Sequence, residues 1–375
     1  MTKKILFCAS TASHILNFHL PYLQYFKERN CQVDVLVAKK TEIPYTDNVL
    51  ELPMVKRVFA PENLRSIYTV KKFLTRNHYD LISTHTTLAG AIVRLAIKML
   101  GKRYRNIKVV HTSHGYFFNG LNSFREKVYL WVEMLLAPVT DILMVMNNTD
   151  YDLALKYKLG QKVVFIPGMG VDLNKFTAVS AEKKASLKKA AGFDPDDFLI
   201  VYAAEMSKRK NQGELIRAFF LAARQEESIK LLFAGEGELE EKYRQMASEY
   251  GLDERVIFLG HVSDMANLYA LCDAVVSTSR SEGLPFNIME AMACGLPVIA
   301  SKIKGHMDLL SGAGNMQGDL LYDLGDEQNL ANILLKLQKD KKMREQVGME
   351  NKTKVQSYGL DHVKPAIINV YTELM

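Results

Sequence analysis

The sequence predicts an α/β protein made of two doubly wound, parallel-sheet domains, and three observations lead there. Short runs rich in Val, Ile and Leu alternate with longer amphipathic stretches, as expected when parallel strands are covered on both faces by crossover helices. The alternation stops at a polar, Lys-rich stretch, Asp172 to Pro195, and then restarts. The length of 375 residues suits two or three domains at roughly 150 residues each.

In the first half, strands are expected at Lys4–Cys8, Val33–Ala38, Val55–Phe59, Leu81–Thr84, Val109–Thr112, Ile142–Met146 and Val163–Ile166, with apolar-periodic segments between most of them. The second half repeats the pattern at Leu199–Ala203, Lys230–Ala234, Val256–Leu259, Ala274–Ser277, Pro297–Ala300 and Leu320–Tyr322. The tail from about Asp326 is helical and charged, with Gly359 and Pro365 punctuating its end. These features divide the chain into an acceptor-side domain, 1–170, a second domain, 171–355, and a terminal helix, 356–375, expected to cross back onto the first domain. Ligands of such folds bind beyond the carboxyl ends of the strands, so a cleft between the two sheets is the expected site. Fold alone does not fix chemistry.

Hydrophobic residues make up 48% and charged residues 24% of the chain, which excludes disordered, collagenous and coiled-coil classes. Cys8, Cys31, Cys272 and Cys294 lie far apart, so neither a zinc ribbon nor a disulfide-stapled domain is expected, and the compartment should be reducing. The apolar run Ile5 to Ala9 is too short for a signal sequence. The stretch Val128 to Val139 is broken by Glu133 and Pro138, so no membrane-spanning segment is expected.

Residues 1–170 carry 23 Lys and Arg against 12 Asp and Glu, whereas 171–375 carry 25 against 30. A basic first half suits nucleic acid, an anionic membrane or a phosphorylated substrate, but its charges are not interleaved with aromatic residues as in nucleic-acid modules. The segment Ala89 to Lys108 is partly apolar and ends in Lys102, Arg103, Arg105 and Lys108. It reads equally as a leaflet-binding surface or as a core helix with a basic end.

The most informative stretch runs from Ser277 through Glu282-Gly283-Leu284-Pro285-Phe286-Asn287 to Glu290 and Gly295. It follows a strand and opens a helix. Pro285 suits the first helical turn, Gly283 leaves the backbone open to a phosphate, and the amides of Phe286 and Asn287 can face an anion. Glu290 lies about one turn further on, where a carboxylate can accept both hydrogens of a vicinal diol. Glu282 beside a diphosphate would be repelled unless it faced donors, which assigns it to sugar hydroxyls beyond the phosphate. Two glutamates eight apart are by themselves more often a cap and a solvated helix face. The surrounding Gly283-Leu284-Pro285-Phe286 and Ala291-Met292-Ala293-Cys294-Gly295-Leu296-Pro297 favour the functional assignment.

With these motifs the chain resembles the retaining glycosyltransferases of the two-Rossmann-domain GT-B type, family 4, and most of all their bacterial capsular and exopolysaccharide members. The E-x7-E element corresponds to Glu282 and Glu290. The resemblance extends over nearly the whole chain. It includes Asn17-Phe18-His19-Leu20-Pro21-Tyr22, His111-Thr112-Ser113-His114-Gly115-Tyr116, Ile166-Pro167-Gly168, Lys208-Arg209-Lys210-Asn211-Gln212 and Ala234-Gly235-Glu236-Gly237-Glu238. The resemblance implies that Glu290 holds the donor ribose, Glu282 the donor hexose, and the backbone after Gly283, with Leu284, Pro285, Phe286 and Asn287, the diphosphate. Lys210 corresponds to the family's phosphate-binding lysine, and an ammonium there stabilises charge on the leaving diphosphate. Many relatives carry an arginine where this chain has Glu205, and Arg209, one residue out of register, is the possible replacement. His114 is implied at the reaction centre, and Ser10, Asn17 and His19 are the acceptor-side candidates, whereas His111 reads as structural.

No Gly-x-Gly-x-x-Gly follows the first strand, which disfavours dehydrogenase-type dinucleotide binding. The Asp194-Pro195-Asp196 sequence reads as a turn, and no metal or other cofactor is implied. The expected function is metal-independent transfer of a hexose or N-acetylhexosamine from a nucleoside-diphosphate sugar, UDP by preference, with retention. The acceptor that the resemblance implies is a polyprenyl-diphosphate-linked glycan, and the location it implies is cytoplasmic, peripherally on the cytoplasmic membrane. By the resemblance, the mechanism is front-face displacement. The alternatives are a nucleotide-sugar epimerase of the same architecture and a non-catalytic assembly subunit.

Overall fold

The computed structural model describes residues 2–55, 60–101, 106–118, 121, 123–312 and 316–375. The chain divides into two compact units: Met1–Gly170 together with Asp361–Met375, and Val171–Leu360.

Unit 1 is a parallel sheet of β1 (Lys4–Cys8), β2 (Gln32–Val37), β3 (Asn48–Glu51), β4 (Leu81–His85), β5 (Lys108–Ser113), β6 (Ile142–Val145) and β7 (Lys162–Phe165). Their spatial order is β3-β2-β1-β4-β5-β6-β7. The order reverses between β1 and β4, where Ile5 pairs with Val33 on one side and Leu81 on the other. Ile5, Leu6, Phe7 and Cys8 are all fully buried, because helices cover both faces of this strand. Each such branched or aromatic side chain contributes roughly 1.5–3 kcal/mol of burial.

Unit 2 repeats the plan with β8 (Phe198–Ala203), β9 (Ile229–Ala234), β10 (Val256–Phe258), β11 (Ala274–Ser277), β12 (Val298–Ser301) and β13 (Leu321–Tyr322). The order is β10-β9-β8-β11-β12-β13, so this sheet reverses between β8 and β11. The C-terminal helix Leu360–Glu373 packs in unit 1, where the Tyr371 hydroxyl lies 3.0 Å from Ser83 Oγ and its ring meets Phe7 edge-on.

Three segments take a definite form beyond the sequence reading. The third strand among the described residues is Asn48–Glu51: Pro53 lacks an amide donor and the chain leaves the sheet before it, and of the expected strand Val55–Phe59 only Val55 is described, outside the sheet. Residues 56–59 lie outside the described residues. The segment from Ala89 is a core helix, Thr87–Lys98, with Ile92, Val93, Ala96 and Ile97 buried. Its Arg94 forms a buried bidentate pair with Glu133, at 2.9 Å to each carboxylate oxygen. The apolar face of this helix is therefore spent on the core, and Lys102, Arg103 and Arg105 lie outside the described residues. The Lys-rich stretch after Asp172 holds the helix Ala181–Ala190, whose Lys184 and Lys188 pair with Asp273 at 3.5 and 2.7 Å.

Candidate active site

In unit 2 the loops after β8 and β11 meet beyond the switch point, and they carry an ionic cluster. Lys210 Nζ lies 2.5 Å from Glu282 Oε1, and Arg209 Nη1 lies 3.0 Å from Glu282 Oε2. Ser279 Oγ donates to Glu282 Oε1 at 2.7 Å. Burial pushes the Glu282 carboxyl up, but the Lys210 and Arg209 charges, with hydrogen bonds from Lys210 and Ser279, overcome it and hold the group at about 2. Burial in turn pushes the Lys210 ammonium below the usual lysine range, against the attraction of Glu282. The pair is thus ionised in a dry setting where its field is strong.

The backbone that presents this cluster is fixed at several points. The Tyr202 hydroxyl bridges Lys210 O at 2.8 Å and Ser279 Oγ at 2.9 Å, while Thr278 Oγ1 donates to Lys210 O and Asn211 O. Asn211 takes a left-handed conformation at φ 59°, which asparagine tolerates better than most residues, and so turns the chain into the helix Gln212–Ala223. Gly305 packs on the Glu282 loop so closely that a Cβ there would lie 2.5 Å from Gly283 O and 2.7 Å from Glu282 O. His306 is held by Ser301 O at 2.8 Å and Ser277 Oγ at 3.2 Å, and burial depresses it to about 4. It is therefore a neutral brace between β11 and β12. Sequence reasoning missed Gly305 and His306, whose only signal is their place just after β12.

The helix after the loop is Phe286–Ala293. Pro285 stands one residue outside it as the N-cap, in extended conformation, and not within the first turn as expected. Asn287 Nδ2 donates to Ala203 O at 2.9 Å, tying this helix start to the end of β8. Gly283, Leu284 and Pro285 are buried. Glu290 Oε2 accepts from the Tyr269 hydroxyl at 3.4 Å, and burial raises its carboxyl to about 7 against the opposing pull of Lys175. Glu205 is exposed, and its carbonyl accepts from Gln212 Nε2. Arg209 is the cation beside Lys210, so its offset in register does not keep it from the cluster. Asp194 and Asp196 form a turn, with Asp196 N donating to Asp194 Oδ1 at 2.9 Å.

Unit 1 gathers something different at its switch point. His14 follows β1, His85 ends β4 and His114 follows β5. With His19 they bring ligand-capable nitrogens within 4.8 Å of one another. His14 Nε2 and His114 Nε2 are 3.1 Å apart, and the His19 and His85 rings are 3.8 Å apart. Burial, helped by neighbouring imidazoles, depresses His19, His85 and His114 well below the usual histidine range, and burial brings His14 to about 4. All four are neutral at physiological pH. Both ring nitrogens of His19 and Nδ1 of His85 are buried without a partner among the described residues, at roughly 1–3 kcal/mol for each unpaired group. His14 and His85 were not singled out in the sequence, although both stand where strands of one sheet end.

The other unit 1 candidates separate. His114 and His14 are half-buried and Asn17 is exposed, all reachable from solvent. His19 is fully buried behind them, which departs from the surface position expected of an acceptor contact. Ser10 Oγ is engaged with Thr86 Oγ1 at 2.7 Å and with the Ala89 amide, so it braces the start of the Thr87–Lys98 helix. His111 is buried, with Nδ1 at 2.9 Å from Thr84 Oγ1, and fills the space beside Gly90.

Comparison with known proteins places this geometry in context. Residues 22–175 match the family model described as Glycosyltransferase Family 4, and residues 183–354 match that described as Glycosyl transferases group 1. EpsD of Bacillus subtilis (strain 168), named as a glycosyltransferase, is 33% identical over 100% of this chain and 98% of its own length. An Escherichia coli UDP-Gal:alpha-D-GlcNAc-diphosphoundecaprenol alpha-1,3-galactosyltransferase is 29% identical over 83% of this chain and 82% of its own. Among solved structures, Anabaena HepE in complex with UDP and glucose superimposes with a TM-score of 0.77 at 21% identity, covering 99% of this chain and 100% of HepE.

Proposed function

Because the chain belongs to the family 4 glycosyltransferases of the GT-B fold, we propose that it moves a hexose or N-acetylhexosamine from a UDP-sugar to a polyprenyl-diphosphate-linked glycan, with retention. The observation that carries this reading is the Lys210–Glu282–Arg209 cluster at the unit 2 switch point. In the proposed complex the donor diphosphate lies against Lys210 and Arg209. The Glu282 carboxylate, kept ionised by those cations, accepts from hydroxyls of the transferring sugar. Glu290 accepts from the ribose. The two cations answer the charge of the leaving group, and this donor step calls on no metal. The UDP-Gal donor and diphosphoundecaprenol acceptor in the name of the Escherichia coli relative, and the UDP in the HepE complex, support the choice of substrates.

The proposed chemistry is front-face displacement. As the bond from the anomeric carbon to the diphosphate oxygen breaks, the acceptor oxygen bonds to that carbon from the same side. The acceptor proton passes to the departing phosphate oxygen. His114, neutral and reachable, donates or accepts a hydrogen bond at the transferring sugar.

The site of work is proposed to be the cytoplasmic membrane surface, with the enzyme held peripherally. No helix among the described residues is long and apolar enough to cross a membrane. The helix Phe124–Leu136 turns Phe124, 83% exposed, and Trp131, 62% exposed, outward along one face with Met134 and Lys127. The helix Pro61–Arg76 exposes Leu64 and Tyr68 beside Arg65 and Lys72. Aromatic residues bordered by cations suit an anionic interface. Co-sedimentation with anionic vesicles should fall when Phe124 and Trp131 are both changed to Ser, and unchanged binding would remove this surface from the proposal.

The function is tested by screening labelled nucleotide sugars against lipid-linked acceptors and reading the anomeric configuration of the product. Transfer from a UDP-sugar with retention is expected. Donor turnover without any acceptor would favour an epimerase instead.

A further inference from the structure

We propose that His14, His19, His85 and His114 form a site for one divalent transition-metal ion of the zinc class. Four donors, His14 and His19 from the helix after β1 with His85 and His114 from the ends of β4 and β5, converge within 4.8 Å. The 3.1 Å between His14 Nε2 and His114 Nε2 is close to the edge of a zinc tetrahedron, about 3.3 Å for Zn–N bonds near 2.05 Å. Three nitrogens in this cluster, two on His19 and one on His85, are buried and lack protein partners, as donors awaiting a ligand do. His85 is also oriented: its Nε2 is held by Ser83 Oγ at 2.9 Å, which in turn is held by Tyr371, leaving Nδ1 for the cluster. Such an outer hydrogen bond is a usual support of a metal-bound imidazole.

The donor set selects the ion. Four imidazoles with no carboxylate suit zinc, copper or nickel and not magnesium or calcium, which require oxygen. The half-buried His14 and His114 give the ion a way in. Where the inference touches catalysis it rests on the proposed role of His114: a metal on its Nε2 removes that nitrogen from the sugar, so loading blocks transfer and a chelator restores it.

The experiment is titration of the full chain with zinc chloride by calorimetry, and with cobalt chloride by visible absorption. One equivalent of zinc and a tetrahedral cobalt spectrum are expected. His14 is half-buried, so His14→Gln is the gentlest change in the cluster, and its zinc affinity should fall at least about tenfold. Ser83→Ala, which touches no metal, should weaken binding by roughly 10- to 100-fold. Lys210→Ala, in unit 2, should leave zinc affinity unchanged. Absence of stoichiometric binding in the intact chain, or equal affinity in folded His14→Gln, overturns the site. Full loading with undiminished transfer would instead refute the role of His114 and leave the metal site standing. A chain that transfers sugar and binds no zinc keeps the function and loses only this inference.

Discussion

At the β8–β11 switch point, Lys210, Arg209 and Glu282 carry full charges that satisfy one another. At the β1–β4 switch point, four imidazoles are neutral and three of their nitrogens have no partner. The two sheets share their winding, so the difference lies in the side chains placed on the strand ends. A diphosphate needs fixed positive charge, and holding Lys210 and Arg209 together needs a carboxylate between them. A sugar or a metal ion is better served by uncharged donors, which can lose a partner to the ligand without exposing a buried charge. One architecture thus prepares an ionic seat in one unit and a neutral one in the other.

Breaking the ionic side should have the largest effect. Glu282→Ala is expected to lower kcat/KM by at least about 10²–10³-fold, measured with the preferred UDP-sugar. Lys210→Ala leaves the Glu282 carboxylate without its closest cation and should cost about 3 kcal/mol of stability in denaturant unfolding. Pairing it with Glu282→Gln should recover much of that loss. On the neutral side, His114→Ala should lower kcat by roughly 10²-fold while donor KM changes little, since the diphosphate seat is untouched. Equal effects on donor KM from both units would erase the contrast.

Smaller changes sharpen it. Gly305→Ala forces the Glu282 loop to move, because the new Cβ would lie 2.5 Å from Gly283 O. Overpacking of this kind costs about 1–3 kcal/mol, and donor KM should rise about tenfold, whereas Gly318→Ala, whose Cβ would have no described residue within 4 Å, should change nothing. The mildest effect is pH dependence at Glu290, whose carboxyl burial raises to about 7. The ribose needs the carboxylate, so donor affinity should grow as pH rises through about 7, by at most about tenfold from pH 6 to 8. Glu290→Gln should flatten that profile. For stability the sign is opposite. The raised pKa makes the contribution present below about 4.5 and lost as pH climbs through about 7, since the unfolded chain gives up its proton first.

Much of this was legible in the sequence where local pattern decides. The strands most easily read are buried on both faces, as in Ile5 to Cys8 and Leu199 to Val201, where no polar residue interrupts the run. Asn48–Glu51 escaped because it is a short edge strand with half-exposed side chains. Glu282, Lys210 and Arg209 stood out through their motifs, yet their mutual ion pairing spans residues far apart in the chain and only the folded sheet brings it about. The histidine cluster was hidden for the same reason: His14, His85 and His114 share no motif, and only the order β1-β4-β5 makes them neighbours. The apolar run in Thr87–Lys98 could not be decided from sequence, since an amphipathic helix facing a core and one facing a membrane share one pattern.

A crystal structure of the chain with UDP tests the central claim most directly. The diphosphate is predicted within hydrogen-bond distance of Lys210 Nζ and the Arg209 guanidinium, with the ribose hydroxyls on Glu290. Nucleotide density away from the β8–β11 loops, with the Lys210–Glu282 pair undisturbed, would contradict it.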